Sequence, residues 1–213
     1  MNPVEQWDEY ASLFASHTSR FQAELYEYAA SQLAGSVLDC GCGVAKLAPY
    51  LLENSDVCSY TGVDNSPGMI TLARELIGKL NRPDYKVECQ SIEASTGRYS
   101  SAVSLQSHYA WADGLSTLRH IREQLKPEGR FVLATANANI DIERLLELAS
   151  RENLMSPGWD RFAELNRAFA TTQTARFLTL DELIDEARTA GFSVCDTRTD
   201  FYLGGLNCLL LAH

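Results

Sequence analysis

Hydrophobic positions along the chain follow two spacings. Short apolar runs at 37–38, 58–63, 85–89, 102–105 and 130–134 have the length of buried strands. Between them, 47–52, 68–80 and 115–125 carry apolar residues three and four apart, as helices with one buried face require. Local signals punctuate these runs. Ser66-Pro67 suits a helix cap followed by a first turn, and Pro127 and Gly129 stop the helix over 115–125. Two helices open the chain, one over 3–15 and one introduced by the capping box Ser19-x-x-Gln22 and ending before Gly35. Beyond the fifth strand, 140–149 and 161–170 read as helices separated by Ser156-Pro157-Gly158. A second capping box, Thr179-x-x-Glu182, starts a helix that ends at Gly191. Strands at 193–197 and 207–212, joined through Leu203-Gly204-Gly205, close the chain.

Strands alternating with helices predict an α/β fold: a seven-stranded, mostly parallel sheet with helices on both faces. The last two strands are joined too closely for a helical crossover, so an antiparallel C-terminal hairpin is expected at one edge. No repeat or linker divides the sequence. It reads as a single domain, 1–213, with N-terminal helices over 1–34 and a helical lid insertion over 137–176.

Composition narrows the function. Apolar residues at 46% and charged residues at 22% are ordinary for a globular chain and exclude disordered and collagen-like classes. Lys plus Arg number 18 against 28 Asp plus Glu, a net charge of −10. Such a surface repels phosphate backbones and anionic lipids, and the positive charges are scattered singly. A small-molecule partner is therefore expected, with no nucleic acid and no membrane. No apolar run approaches the roughly 20 residues that cross a bilayer. The opening MNPVEQWDEY has neither the basic end nor the apolar stretch of a secretory leader, so a cytoplasmic location is expected. None of the 6 cysteines forms a C-x-x-C pair and the 4 histidines are far apart, so no metal is expected. The cysteines read as small buried hydrophobes in a reducing compartment.

The first strand ends in Asp39-Cys40-Gly41-Cys42-Gly43-Val44-Ala45. In an open parallel sheet ligands bind outside the carboxyl ends of the strands, where the strand order reverses. Alternate glycines let a ligand approach the backbone, and amides at a helix start favour negative charge. About 25 residues past Asp39, Asp64 ends the second strand, where a carboxylate accepts two hydrogen bonds from a ribose diol. A dinucleotide fingerprint wants Gly or Ala at the sixth place from Gly41, which is Lys46. An acid just before the loop also repels a pyrophosphate. The pattern suits an adenosyl group joined to a cationic amino acid, and a nicotinamide-dependent oxidoreductase is the less favoured alternative.

The chain resembles the class I S-adenosylmethionine-dependent methyltransferases of small-molecule type. The resemblance rests on V-L-D-C-G-C-G-V-A-K-L-A from Val37, T-G-V-D-N-S-P-G-M-I from Thr61, L-K-P-E-G-R-F-V-L from Leu125 and L-D-E-L-I-D-E-A-R-T-A-G-F from Leu180. It implies a Rossmann-like sheet and S-adenosylmethionine as cofactor. By the same resemblance Asp39, Gly41 and Gly43 line the methionine portion, Asp64 holds the ribose, and Asn65 and Met69 lie beside the adenosine. W-D-E-Y-A-S-L-F is similar to the family's N-terminal segment, in which the residue matching Tyr10 folds over the cofactor's carboxylate end. Arg20 is a candidate partner for that carboxylate, the alternative being a solvated surface arginine. Three departures stand out. Ala45 replaces the loop's third glycine, at expected small cost. Ser91, with Ile92 after it, replaces the acid that accepts from adenine, so Glu93 is expected to share that contact. Tyr99-Ser100-Ser101 lacks the usual acid opening strand four.

Methyl transfer from a sulfonium is an in-line displacement that alignment and desolvation accelerate, and a base helps where the acceptor carries a proton. Gln106-Ser107-His108-Tyr109-Ala110-Trp111, after the fourth strand, faces this region in such a fold. Gln106 falls on the cofactor side and Trp111 on the substrate side. His108 is the candidate base and Tyr109 its orienter or substitute; otherwise His108 is a hydrogen-bonded turn residue and the enzyme works by proximity. The lid contributes Met155, Trp159, Phe162, Phe169 and Phe177, either as an apolar cover that selects the substrate or as packing for its helices. His17, near a helix junction, is a lesser candidate for the cleft. A catalytically silent cofactor-binding or regulatory protein is the alternative from a different class.

Overall fold

The computed structural model describes residues 3–153, 156–171 and 176–213. Met155 therefore lies outside the described residues. Two helices come first, α1 (Pro3–Ser16) and α2 (Arg20–Gln32). The capping box at Ser19 forms in full: its side chain accepts from the Gln22 amide, and the Gln22 side chain takes the Ser19 amide. The alternating part follows as β1 (Gly35–Cys40), α3 (Ala48–Leu51), β2 (Val57–Asp64), α4 (Pro67–Leu80), β3 (Tyr85–Cys89), β4 (Tyr99–Leu105), α5 (Gly114–Gln124) and β5 (Leu125–Ala136). Then come α6 (Ile142–Asn153), α7 (Trp159–Thr171), α8 (Leu180–Thr189), β6 (Ser193–Arg198) and β7 (Leu206–Ala212).

The strands form one seven-stranded sheet in the order β3-β2-β1-β4-β5-β7-β6. The first five pair in parallel, and β7 runs antiparallel to both β5 and β6. The hairpin is thus present, with β6 on the edge and β7 slotted inside. Strand order reverses between β1 and β4, where Asp39 pairs with Val103, and this opens a crevice beyond their carboxyl ends. One face is covered by α2, α3 and α4, with Leu25, Leu51, Ala73 and Tyr60 in the core. The other is covered by α5 and α8, with Leu118, Ile121, Leu183 and Phe131. A third cluster, built on Tyr10, Val44, Met69 and Phe162, sits over the crevice.

Two expectations change. Strand β5 starts earlier than the apolar run because Leu125 already pairs with Tyr99, ahead of a register shift that accommodates Pro127 to Gly129. Only Cys40, Cys42 and Cys208 are buried; Cys89 and Cys195 are exposed on the edge strands β3 and β6, and Cys58 is exposed at the start of β2, ahead of its pairing with β3. Among the described residues no helix is long and apolar enough to cross a membrane.

Candidate active site

The turn after β1 is held by hydrogen bonds to β2. The amides of Gly41 and Cys42 both donate to the Val63 carbonyl, at 2.9 and 3.0 Å. Gly43 donates its amide to Asp64 Oδ2 at 2.9 Å, and Ser66 donates to Asp64 Oδ1 at 2.9 Å. Those three loop amides are spent inside the protein, so they offer no cradle to a phosphate. Gly41 has φ +76°, and a Cβ there would land 2.5 Å from the Ser107 side chain. That close approach, rather than flexibility, requires glycine. Ala45, in the third glycine's place, is fully buried with φ +61°. A left-handed alanine costs about 1–2 kcal/mol, so the substitution is not the cheap one the sequence implied.

Two carboxylates flank this turn. Asp39 is buried and accepts from the Tyr60 hydroxyl at 2.8 Å. Burial pushes its carboxyl up to about 7, against the Tyr60 hydrogen bond and with a further upward push from Asp64. Asp64 is also raised by burial, although the Ser66 and Gly43 amides hold it down. Neither has a cationic side chain beside it among the described residues, so the crevice carries negative charge at a cost. Each oxygen keeps a free lone pair. A ligand bringing a cation to Asp39 and a diol to Asp64 answers both deficits, and the residues fit an adenosyl sulfonium in this way.

The cover comes from α1 and α7. Tyr10 stacks on Phe162 at 5.5 Å between ring centres, and its hydroxyl pairs with the Asn166 side chain. Trp7 stacks on Phe169 at 4.6 Å. Phe162 also lies 4.8 Å from the His17 ring and 5.4 Å from Trp159. Trp159, Phe162 and Phe169 thus pack α7 onto α1 above Val44 and Met69, shaping a roof. His17 is buried, with Nδ1 2.7 Å from the Leu13 carbonyl. That nitrogen must donate, which leaves Nε2 bare, and it has no partner. Asp8, which the sequence did not single out, accepts from Ser66 Oγ at 2.6 Å and from the Gly68 amide at 2.8 Å. It pins α1 to the N-terminus of α4, where the helix dipole favours a carboxylate. Its only signal was its place in W-D-E-Y.

The segment after β4 divides two ways. Gln106 has φ +63°, and its buried side-chain oxygen has no partner. Tyr202, in the connection between β6 and β7, lies beside the Gln106 amide. Tyr202 and Leu203 are consecutive left-handed residues, with φ +52° and +58°. Tyr109 stands 5.6 Å from Phe177, and burial pushes its phenol up to about 12. His108 is fully enclosed, with Nε2 3.1 Å from Glu186 Oε2 on α8 and its ring against Trp111 at 4.9 Å. Arg176 holds the other Glu186 oxygen at 3.2 Å. Burial pushes the Glu186 carboxyl up, but His108 and Arg176 outweigh it and the net shift is downward.

Several expected roles are corrected by these positions. His108 exposes no surface to an acceptor; Nε2 is committed to Glu186 and Nδ1 is buried without a partner, so the side chain holds the segment to α8. Trp111 belongs to the core on the α5 and α8 face and donates Nε1 to Ser107 Oγ at 3.2 Å, so it does not line a substrate space. Arg20 is a surface arginine, its amide bonded to Glu152 at 3.0 Å and its guanidinium 3.7 Å from the same carboxylate. Glu93 accepts from Thr117 at 2.7 Å and from the Ser91 hydroxyl, so the Ser91 proton is spent on Glu93. Ile92 and Met69 are buried, and Asn65 is exposed at the head of α4.

A crevice at the switch point of a parallel sheet, two unpaired carboxylates and a glycine turn without a phosphate cradle define a nucleoside-binding α/β protein whose ligand carries a cation. Comparison with known proteins sharpens that class. Residues 14–197 match the family model described as "Methyltransferase domain". Over 136 residues the chain is 27% identical to a malonyl-[acyl-carrier protein] O-methyltransferase of Priestia megaterium, covering 63% of this chain and 48% of that protein. Over 122 residues it is 30% identical to a trans-aconitate 2-methyltransferase of an Enterobacter species, covering 54% and 45%. The chain spans about half the length of the curated relatives it matches. Among solved structures, the fold is similar to the magnesium protoporphyrin IX methyltransferase of Synechocystis with bound S-adenosylhomocysteine, at TM-score 0.64 and 16% identity, covering 91% and 83%. It is also similar to the cyclopropane synthase MmaA2 of Mycobacterium tuberculosis, at 0.64 and 14%, covering 90% and 84%. The chain belongs to the S-adenosylmethionine-dependent methyltransferases.

Proposed function

We propose that this methyltransferase acts on a small acid, placing the methyl of S-adenosylmethionine on a carboxylate oxygen to give a methyl ester. The observation that carries this is that none of the side chains this reading turns toward the acceptor is a usable base. Tyr10, Tyr109 and Tyr202 are all raised by burial, so they are neutral phenols that donate hydrogen bonds and take no proton. His108 is locked to Glu186. Such a site suits an acceptor that is already ionised at neutral pH. A carboxylate is; an alcohol is not.

When bound, the cofactor supplies an electrophilic methyl on sulfur. The residues supply position and dryness. Asp39 and Asp64 hold the nucleoside, Tyr10 and the aromatic roof exclude water, and Tyr109, Tyr202 and Gln106 face the acceptor. The malonyl and trans-aconitate groups named for the two relatives both bear carboxylates, which supports the reading. The wider set of acceptors includes nitrogen and sulfur atoms of small metabolites, in a cytoplasmic setting. Incubation with methyl-labelled cofactor and a set of di- and tricarboxylic acids and malonyl thioesters tests it. The expected label is released as methanol by mild alkali. An alkali-stable methyl product overturns the carboxylate reading and leaves the methyltransferase; cofactor binding with no product from any extract favours a silent binding protein.

A further inference from the structure

Lys46 closes the glycine turn. The left-handed Ala45 before it redirects the chain, and the Lys46 amino group meets the junction of α1 and α2. There Nζ donates to the His17 carbonyl and to Thr18 Oγ1, the latter at 3.0 Å, and it lies 4.3 Å from the centre of the Phe14 ring. Phe14 is the side chain that a Cβ on Gly43 would meet first, at 3.5 Å. The ammonium therefore sits one ring away from the turn that holds the cofactor. All its neighbours are neutral. In a chain with 28 acidic residues, no carboxylate pairs with Lys46 among the described residues. Burial without a counter-ion lowers its pKa to about 7. An ammonium has three protons to give, and two are spent, so one remains.

Asp39 on one side of the turn is a buried acid without a cation beside it, and Lys46 on the other is a half-buried base without an anion beside it, among the described residues. That polarity matches an amino-acid zwitterion. Arg20, the other candidate, is held on the surface by Glu152. We propose that Lys46 receives the carboxylate of the cofactor's amino-acid tail, an inference that rests on the S-adenosylmethionine reading of the site. Its third proton goes to that carboxylate, and the charge the fold leaves unpaired is neutralised on binding.

Two probes separate this role from the rest of the pocket: S-adenosylhomocysteine, and 5′-methylthioadenosine, which shares the nucleoside and sulfur but lacks the amino-acid tail. Titration calorimetry on wild type, Lys46→Met and Lys46→Arg is the experiment. Lys46→Met is expected to weaken S-adenosylhomocysteine at least tenfold and to change 5′-methylthioadenosine less than twofold, with Lys46→Arg recovering most of the loss. Equal S-adenosylhomocysteine affinity in wild type and Lys46→Met overturns the proposal, as does an equal loss of both probes. Wild type binding neither probe overturns the cofactor reading itself.

Discussion

The imidazole of His108 and the carboxylate of Glu186 meet at 3.1 Å although 78 residues separate them, and neither is freely exposed. This pair ties the segment after β4 to α8, and through Arg176 to the chain returning from α7. Removing either partner leaves the other buried with an unmet hydrogen bond, at about 1–3 kcal/mol. His108→Ala and Glu186→Ala are expected to lower stability by that amount in urea denaturation. The double variant is expected to cost little more than either single change, since the interaction is shared. Additive losses would show that the two side chains act separately.

Asp64 takes the amides of Gly43, in the turn after β1, and of Ser66, at the head of α4, and the proposed site gives its remaining lone pairs to the ribose. Asp64→Ala is expected to weaken S-adenosylhomocysteine by about 1–3 kcal/mol, the worth of hydrogen bonds to a charged group. Calorimetry measures this directly. An unchanged affinity would remove Asp64 from the cofactor contacts.

Asp39 makes stability and binding depend on pH in opposite directions. Its carboxyl stands at about 7 in the folded, ligand-free protein, chiefly through burial, against an ordinary 3.8. Between those values the folded protein keeps a proton that the unfolded chain has released. The stability this group contributes is therefore full below about pH 4 and lost as pH rises through 7. Thermal unfolding of wild type is expected to fall in Tm from pH 5 to pH 8 relative to Asp39→Asn. A cationic ligand favours the ionised form, so cofactor affinity is expected to rise across the same window relative to Asp39→Asn, with release of a proton from Asp39. Parallel pH profiles for the two proteins would contradict this.

Phe162 touches Tyr10, His17 and Trp159 and has little exposed surface. Phe162→Ala is expected to cost about 3 kcal/mol, at the low end for an aromatic truncation because the cluster lies near the surface. Limited proteolysis should then cut near α7 before the sheet is touched. Cleavage starting in the sheet helices instead would show that α7 is not the separable layer.

The order of elements was legible because each follows from local physics. Apolar spacing separated strands from helices, and Ser19, Ser66 and Thr179 cap the helices that their side chains announced. That Asp39 and Asp64 stand at the carboxyl ends of neighbouring strands was legible for the same reason, since the apolar runs mark where those strands stop. His108 and Arg20 were misjudged because their roles depend on partners 78 and 132 residues away, on α8 and α6. Periodicity carries no information about which distant carboxylate a side chain will meet.

The sequence by itself determined the fold class, the place of the glycine turn and the carboxylates at the ends of β1 and β2, since these depend on spacing, backbone permissiveness and the residues at strand ends. Only the tertiary structure decided which ionisable groups are free. Folding brought Glu186 to His108 and Glu152 to Arg20, and among the described residues it left Lys46 and Asp39 without a partner of opposite charge. Whether a charge is satisfied depends on what lies within a few ångströms in space, and that distance is set by packing rather than by neighbours along the chain.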